Sequence, residues 1–323
     1  MNGMHEILLN LWSGLGWPLT RLLCFVALGL LVANFIEALN WSHSVARLAA
    51  PIIRLGRLPV TVGASFSMAF FSGVAANTML SEAYDQDRLD KRELILGNLF
   101  NSMPTYFLHL PTVFFITAPL IKGAAIIYVV LTFSAAVFRT TVILIVGRFL
   151  LSEKPDDADL GDAVKHEKAD WRAALTKTWK RFRKKMKKIV VITVPIYIAI
   201  YVLSKFGMFG AVKRIMTEHV GFLSWLDPQS IGIVVFHVAA EFTAGLAAAG
   251  ALLDAGSLGY RDIILALLVG NVLSSPMRAV RHQFPYYAGI FSPKLAFELI
   301  FYSQVFRTGS IILVGVIYYY LTL

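Results

Sequence analysis

Hydrophobic and polar positions alternate along the 323-residue chain on the scale of whole helices. Apolar runs of roughly bilayer length are parted by short polar stretches. Such runs occupy about Leu19–Leu39, Val60–Leu80, Ile121–Leu151, Ile189–Lys205, Ile231–Leu253 and Pro293–Leu323. Two further stretches, Leu94–Leu120 and Ile263–Ser292, are apolar but interrupted. The first is too short for two full crossings, and Pro104, Pro111 and Pro119 oppose one straight helix. Two half-helices meeting near mid-membrane are predicted in each. Such backbone is tolerated only where protein or a water-filled cavity satisfies it. The pattern predicts an all-α polytopic membrane protein.

The chain also repeats itself. GNLFNSMPTYFLHLP, from Gly97, and GNVLSSPMRAVRHQFP, from Gly270, share Gly-Asn, then Asn or Ser, Pro, His and Pro in the same order, about 170 residues apart. Each copy is followed by another proline (Pro119, Pro293) and by Val-Phe-Arg-Thr in an apolar run, Val137–Thr140 and Val305–Thr308. Internal duplication in an apolar chain is characteristic of transporter folds. The expected organisation is an interfacial helix over 1–16, a first membrane repeat over 17–151, a linker over 152–188 and a second repeat over 189–323. Three spanning helices and one re-entrant helical hairpin per repeat make an odd number of crossings, so the two repeats are expected to be inverted.

Charge assigns sides. The net charge is +10, and the basic residues concentrate in KRFRKKMKK at the end of the linker. Trp171, Leu175, Trp179, Phe182 and Met186 recur there at helical spacing, which predicts an amphipathic helix on the cytoplasmic surface against anionic lipid. The basic charge therefore reads as topology in a cell (inner or plasma) membrane, with the linker cytoplasmic, and not as nucleic-acid binding. The mixed loop Ser81–Glu93 is then expected outside. The chain has one cysteine, Cys24, so neither a disulfide framework nor a Cys-rich metal site is expected. The start of the chain lacks a basic n-region and a small-residue cleavage site, and no cleaved signal peptide is expected.

Candidate chemistry lies in the duplicated region. Arg139 and Arg307 sit deep in apolar runs, where a charge must face a partner or a wet cavity. Each is either a structural clamp or a direct substrate contact. Asn98, Asn101, Ser102 and His109 in the first copy, and Asn271, Ser274, Ser275, Arg278, Arg281 and His282 in the second, offer polar groups at helix breaks. Such residues either cap the breaks or bind a polar solute. His237 and Glu241, one turn apart in the small-residue run of the second repeat, are proton-coupling candidates or members of a structural ion pair. No phosphate loop, zincin motif or nucleophile elbow occurs, so no enzymatic activity and no cofactor are expected.

The small-residue run, the Gly-Asn, the Asn/Ser-Pro break and the following Arg-bearing helix resemble the nucleoside-recognition, or gate, domain family. That family includes spore maturation proteins A and B and the gate regions of concentrative nucleoside transporters and ferrous-iron permeases. The resemblance covers about Leu58–Leu151 and Ser230–Leu323. It implies opposed hairpins around a central site, with Asn98, Asn101, Asn271, Ser274 and Ser275 facing a ligand. The chain lacks the G-protein domain and gate cysteine of iron permeases and the extra scaffold helices of complete nucleoside transporters. The expectation is a secondary permease moving a small polar, anionic or nucleoside-like solute by alternating access. The alternatives are a flippase for an anionic or phosphorylated polyprenyl lipid, and a non-transporting subunit in envelope assembly. Expected partners are membrane lipids, a small-molecule or lipid substrate, and a second copy or a paired membrane subunit.

Overall fold

The computed structural model describes residues 55–151, 225–240 and 242–323, with scattered helical positions between 5 and 31 and between 172 and 202. The predicted spans Leu19–Leu39 and Ile189–Lys205 and the linker 152–188 lie largely outside the described residues, as do Glu241 and the side chains of Arg281 and His282; the interfacial segment 1–16 is described in part, including a π-helical turn over Trp12–Gly16. The described residues are all-helical. In the first half they form α1 (Val60–Ala69), α2 (Gly73–Asp85), α3 (Lys91–Phe100), α4 (Ser102–Ile121) and α5 (Ala124–Leu150). In the second half they form α6 (Ile231–Ala240), α7 (Phe242–Asp254), α8 (Tyr260–Arg278), a π-helical stretch (Ala279–Gln283), α9 (Phe284–Ala288) and α10 (Pro293–Leu321). Among the described residues, three helical segments are long and apolar enough to cross a membrane: Lys91–Ile121, Ala124–Leu150 and Pro293–Leu321.

The local breaks follow from sequence. α1 ends at Phe70, and Ser72 restarts the chain by accepting a hydrogen bond from the Ala75 N–H at 3.2 Å. The two short helices fold back on one another, since the Ser65 hydroxyl donates to the Ala76 carbonyl at 3.0 Å across the turn. The second half has a similar pair. His237 of α6 faces Gly245 of α7 so closely that a Cβ on the glycine would lie 2.8 Å from the His237 Cβ. Short antiparallel pairs thus occur at 60–85 and 231–254, where sequence pattern alone predicts single spans.

The converse holds at 94–120, where a hairpin is expected. α3 starts with a capping box: Asp90 accepts from the Glu93 N–H and Glu93 accepts from the Asp90 N–H, both at 2.8 Å. It runs into α4 through Asn101, whose backbone (φ −64°, ψ −6°) loosens the helix without reversing it. Pro104 falls in the first turn of α4, where a missing N–H costs little, while Pro111 and Pro119 are absorbed inside the helix. In the second half the same pressure from Pro276 and the residues after it is relieved by the π-helical stretch.

Two apolar cores result. One gathers Leu89, Leu94 and Leu151 with Leu58, Val62, Phe66 and Phe70, and with Phe291, Ala296 and Leu299 at the start of α10. Phe66 stacks on Phe100 with ring centroids 4.1 Å apart. The other joins Leu120, Ile121 and Ala124 to the alanine face of α7 and to Leu258, Ile263 and Ile264. Small residues let these helices touch: a Cβ at Gly250 would sit 2.9 Å from the Leu120 carbonyl oxygen. α3–α4 therefore runs from the first core to the second, and α5 returns. Leu89 and Leu151 share the first core, so the loop Ser81–Glu93 lies at the same end of the described molecule as the end of α5. Ion pairs bridge the two halves near both cores: Lys91 with Glu298 at 2.5 Å and Lys122 with Asp254 at 2.6 Å.

Candidate functional site

A cavity of about 520 Å³ contains polar groups from both halves of the chain. Asn98, Asn101, Ser102 and His109 reach its wall from the first copy of the duplicated stretch, and Asn271 and Arg278 from the second. Arg139, Arg307 and His237 complete the predicted residues found there. Ser274 and Ser275 are buried but lie off the wall. Both hydroxyls donate to the Asn271 carbonyl, at 3.3 and 3.0 Å. This back-bonding turns their hydroxyls onto the α8 backbone and away from the cavity.

On the first-half side, Asn98 donates from Nδ2 to the Asn77 Oδ1 at 2.9 Å and to the Tyr287 hydroxyl at 3.2 Å. Asn101 donates to the Ser65 hydroxyl at 2.7 Å. Ser65 is the residue that holds α2, so the amide of α4's N-cap is tied directly to the α1–α2 pair. The Asn101 Oδ1 and the Ser102 Oγ are buried without hydrogen-bond partners. Tyr106 donates to the Val129 carbonyl at 3.1 Å, joining α4 to α5.

On the second-half side, Asn271 is the hub. Its Nδ2 donates to the Tyr128 hydroxyl at 3.2 Å. Its Oδ1 accepts from Arg307 at 3.2 Å and from Arg278 at 3.3 Å. Arg278 also donates to the Ser274 Oγ at 2.9 Å. Arg139 donates from Nη1 to the Ser310 Oγ at 2.7 Å, and Ser310 donates to the Arg307 carbonyl at 2.8 Å. The two Val-Phe-Arg-Thr arginines are thus linked through one serine. The Arg139 Nε has no hydrogen-bond partner.

His237 sits beside this cluster, 1% exposed, and neither ring nitrogen has a hydrogen-bond partner. Its ring lies 5.4 Å from that of Phe242, which stacks on Tyr128 at 5.8 Å. Among the described residues, the wall contains no Asp or Glu, and no group of His, Cys, Asp and Glu is placed to hold a metal ion. Several wall residues escape sequence reading: Asn77, Tyr106, Tyr128, Gln283, Tyr287 and Ser303. Asn77 carries a signal that sequence pattern offers, a lone amide in a small-residue run. The tyrosines do not stand out among the chain's 12.

The chain is similar to three uncharacterized proteins of the archaeon Methanocaldococcus jannaschii. The first is 24% identical over 282 residues, covering 87% of this chain and 86% of that protein. The second is 25% identical over 284 residues (86% and 88%), and the third 23% over 279 residues (84% and 88%). No family model matches the chain, and no solved structure matches it.

Proposed function

We propose that this protein is a secondary transporter of the cell membrane that carries a small polar solute through the central cavity by alternating access. One observation carries the reading: Asn98, Asn101 and Ser102 from the first copy, and Asn271 and Arg278 from the second, line one cavity. Duplicated halves that each contribute polar groups to a site between them are the common plan of such carriers. The cavity volume falls in the range of small-ligand sites, roughly 300–1,000 Å³.

The arrangement of the helices supports the reading. We take α1–α2 and α6–α7 as re-entrant hairpins, because ten to thirteen residues are too few to cross a bilayer. The first pair packs in the core that holds Leu89 and Leu151, the second in the core that holds Leu120 and Leu252. The hairpins then enter from opposite faces, α5 and α10 run in opposite directions, and the halves are inverted repeats. The same two-core, one-cavity layout fits the gate-domain resemblance. A subunit that serves only to pack its neighbours has no need of a polar cavity.

The test is flux. Purified protein in sealed liposomes, preloaded with a panel of unlabelled solutes, should take up at least one labelled solute by exchange. Uptake should fall when Asn271 or Arg278 is replaced. Liposomes that exchange none of a broad panel of nucleosides, organic anions and amino acids, with folded protein, would count against transport.

A further inference from the structure

We infer that the cavity is built for an oxyanion, a carboxylate or phosphate group gripped between Arg139 and Arg307. This rests on the transport reading only for the role of the cavity; the anion chemistry stands on its own observations.

Arg139 and Arg307 come from the two Val-Phe-Arg-Thr motifs and face one cavity deep between the halves. Arginine stays charged in proteins. Two cations placed in a membrane interior need compensation, and natural proteins supply it with a carboxylate or a wet cavity. Here neither arginine has an ion pair among the described residues. Arg139 donates to one serine hydroxyl and Arg307 to one amide oxygen, both neutral. The Arg139 Nε, buried in a residue only 8% exposed, points to no acceptor.

The rest of the wall adds donors. Arg278 adds a third guanidinium, and His237 and the Ser102 hydroxyl are buried polar groups without hydrogen-bond partners. Among the described residues no carboxylate lies on the wall beside Arg139 and Arg307, so an anionic ligand supplies the opposite charge there. A guanidinium offers parallel N–H donors that match the two oxygens of a carboxylate or phosphate. The volume exceeds what a bare inorganic ion fills, so the anion should be one group of a larger solute. Tyr128 and Phe242, stacked on the same wall, give its apolar part a surface. The oxyanion can belong to a soluble metabolite or to a lipid headgroup, and binding separates the two.

The experiment uses the full chain in nanodiscs of uncharged-headgroup lipid, with thermal unfolding followed against uridine, uridine monophosphate, succinate and inorganic phosphate. A parallel set of discs contains polyprenyl phosphate. We expect uridine monophosphate or succinate to stabilise wild type where uridine does not; stabilisation by polyprenyl phosphate alone would assign the oxyanion to a lipid. Arg139→Gln and Arg307→Gln should each weaken that anion's apparent Kd by about 10- to 100-fold, and Arg307→Lys by less. If the Gln variants fail to fold, the uridine against uridine monophosphate comparison on wild type decides. Stabilisation by uridine equal to that by its monophosphate overturns the inference, as does the absence of any shift with every anion. Liposome uptake of a neutral solute, unchanged in the arginine variants, would sink the oxyanion site and leave the transporter reading standing.

Discussion

Replacing Gly270 by alanine tests how tightly the cavity wall is built. Gly270 follows the apolar part of α8 and faces His237 at the end of the α6–α7 pair. A Cβ there would lie 2.5 Å from the His237 Nδ1, 2.8 Å from Cγ and 2.9 Å from Cβ. Ordinary contact begins near 3.4 Å, so the ring must retreat by about 0.9 Å. Gly245 packs against the same histidine, with a hypothetical Cβ only 2.8 Å from the His237 Cβ. The imidazole is held between two glycines and has little room to move. Overpacking of this kind costs about 1–3 kcal/mol. At about 2–4 °C per kcal/mol, the Tm should fall by roughly 2–12 °C. Gly309→Ala is the control, because its Cβ would meet nothing within 4 Å and its Tm should hold. Thermal unfolding monitored by size-exclusion chromatography in detergent measures both. Adding His237→Ala to Gly270→Ala should recover part of the loss, a coupling that a double-mutant cycle reads directly. Gly270→Ala as stable as Gly309→Ala, or strict additivity with His237→Ala, would refute the packing argument.

Asp90→Ala removes the capping box at the start of α3 and should cost about 1 kcal/mol, read as a lower Tm with solute binding intact. Asn271→Leu keeps the volume of the hub but strips two guanidinium groups of a shared acceptor and Tyr128 of a donor. Hydrogen bonds to charged groups are worth about 1.5–3 kcal/mol each, so a Tm loss larger than that of Asp90→Ala is expected, together with weaker binding.

The duplication is the most legible feature of the sequence. Asn98 with Asn271 and Arg139 with Arg307 are matched between the two copies and line one cavity, together with Asn101 and Arg278, which have no identical counterpart. The prolines suggest a reversal within 94–120, yet Pro104 sits in a first turn and Pro111 and Pro119 are absorbed within α4. Among the described residues the chain instead reverses at Phe70–Ser72 and beside Phe242, within small-residue runs that look continuous in hydropathy. Ser72 marks the first reversal as an N-cap, but one serine in an apolar run is a faint signal. Ser274 and Ser275 look like ligand groups by position, but their hydroxyls are drawn back to the Asn271 carbonyl. Side-chain direction on a helix decides this, and spacing alone does not show it.

The proposed alternating access requires the cavity to open in turn to both faces of the membrane. The most direct measurement is labelling of a single cysteine in its wall. With Cys24 replaced by serine, Ser303→Cys places one thiol on α10 inside the cavity. Right-side-out and inside-out vesicles are then treated with a membrane-impermeant thiol reagent. Modification is expected from each face separately, with solute that binds the cavity slowing both. Modification from one face only, or from neither while denatured protein labels fully, would contradict it.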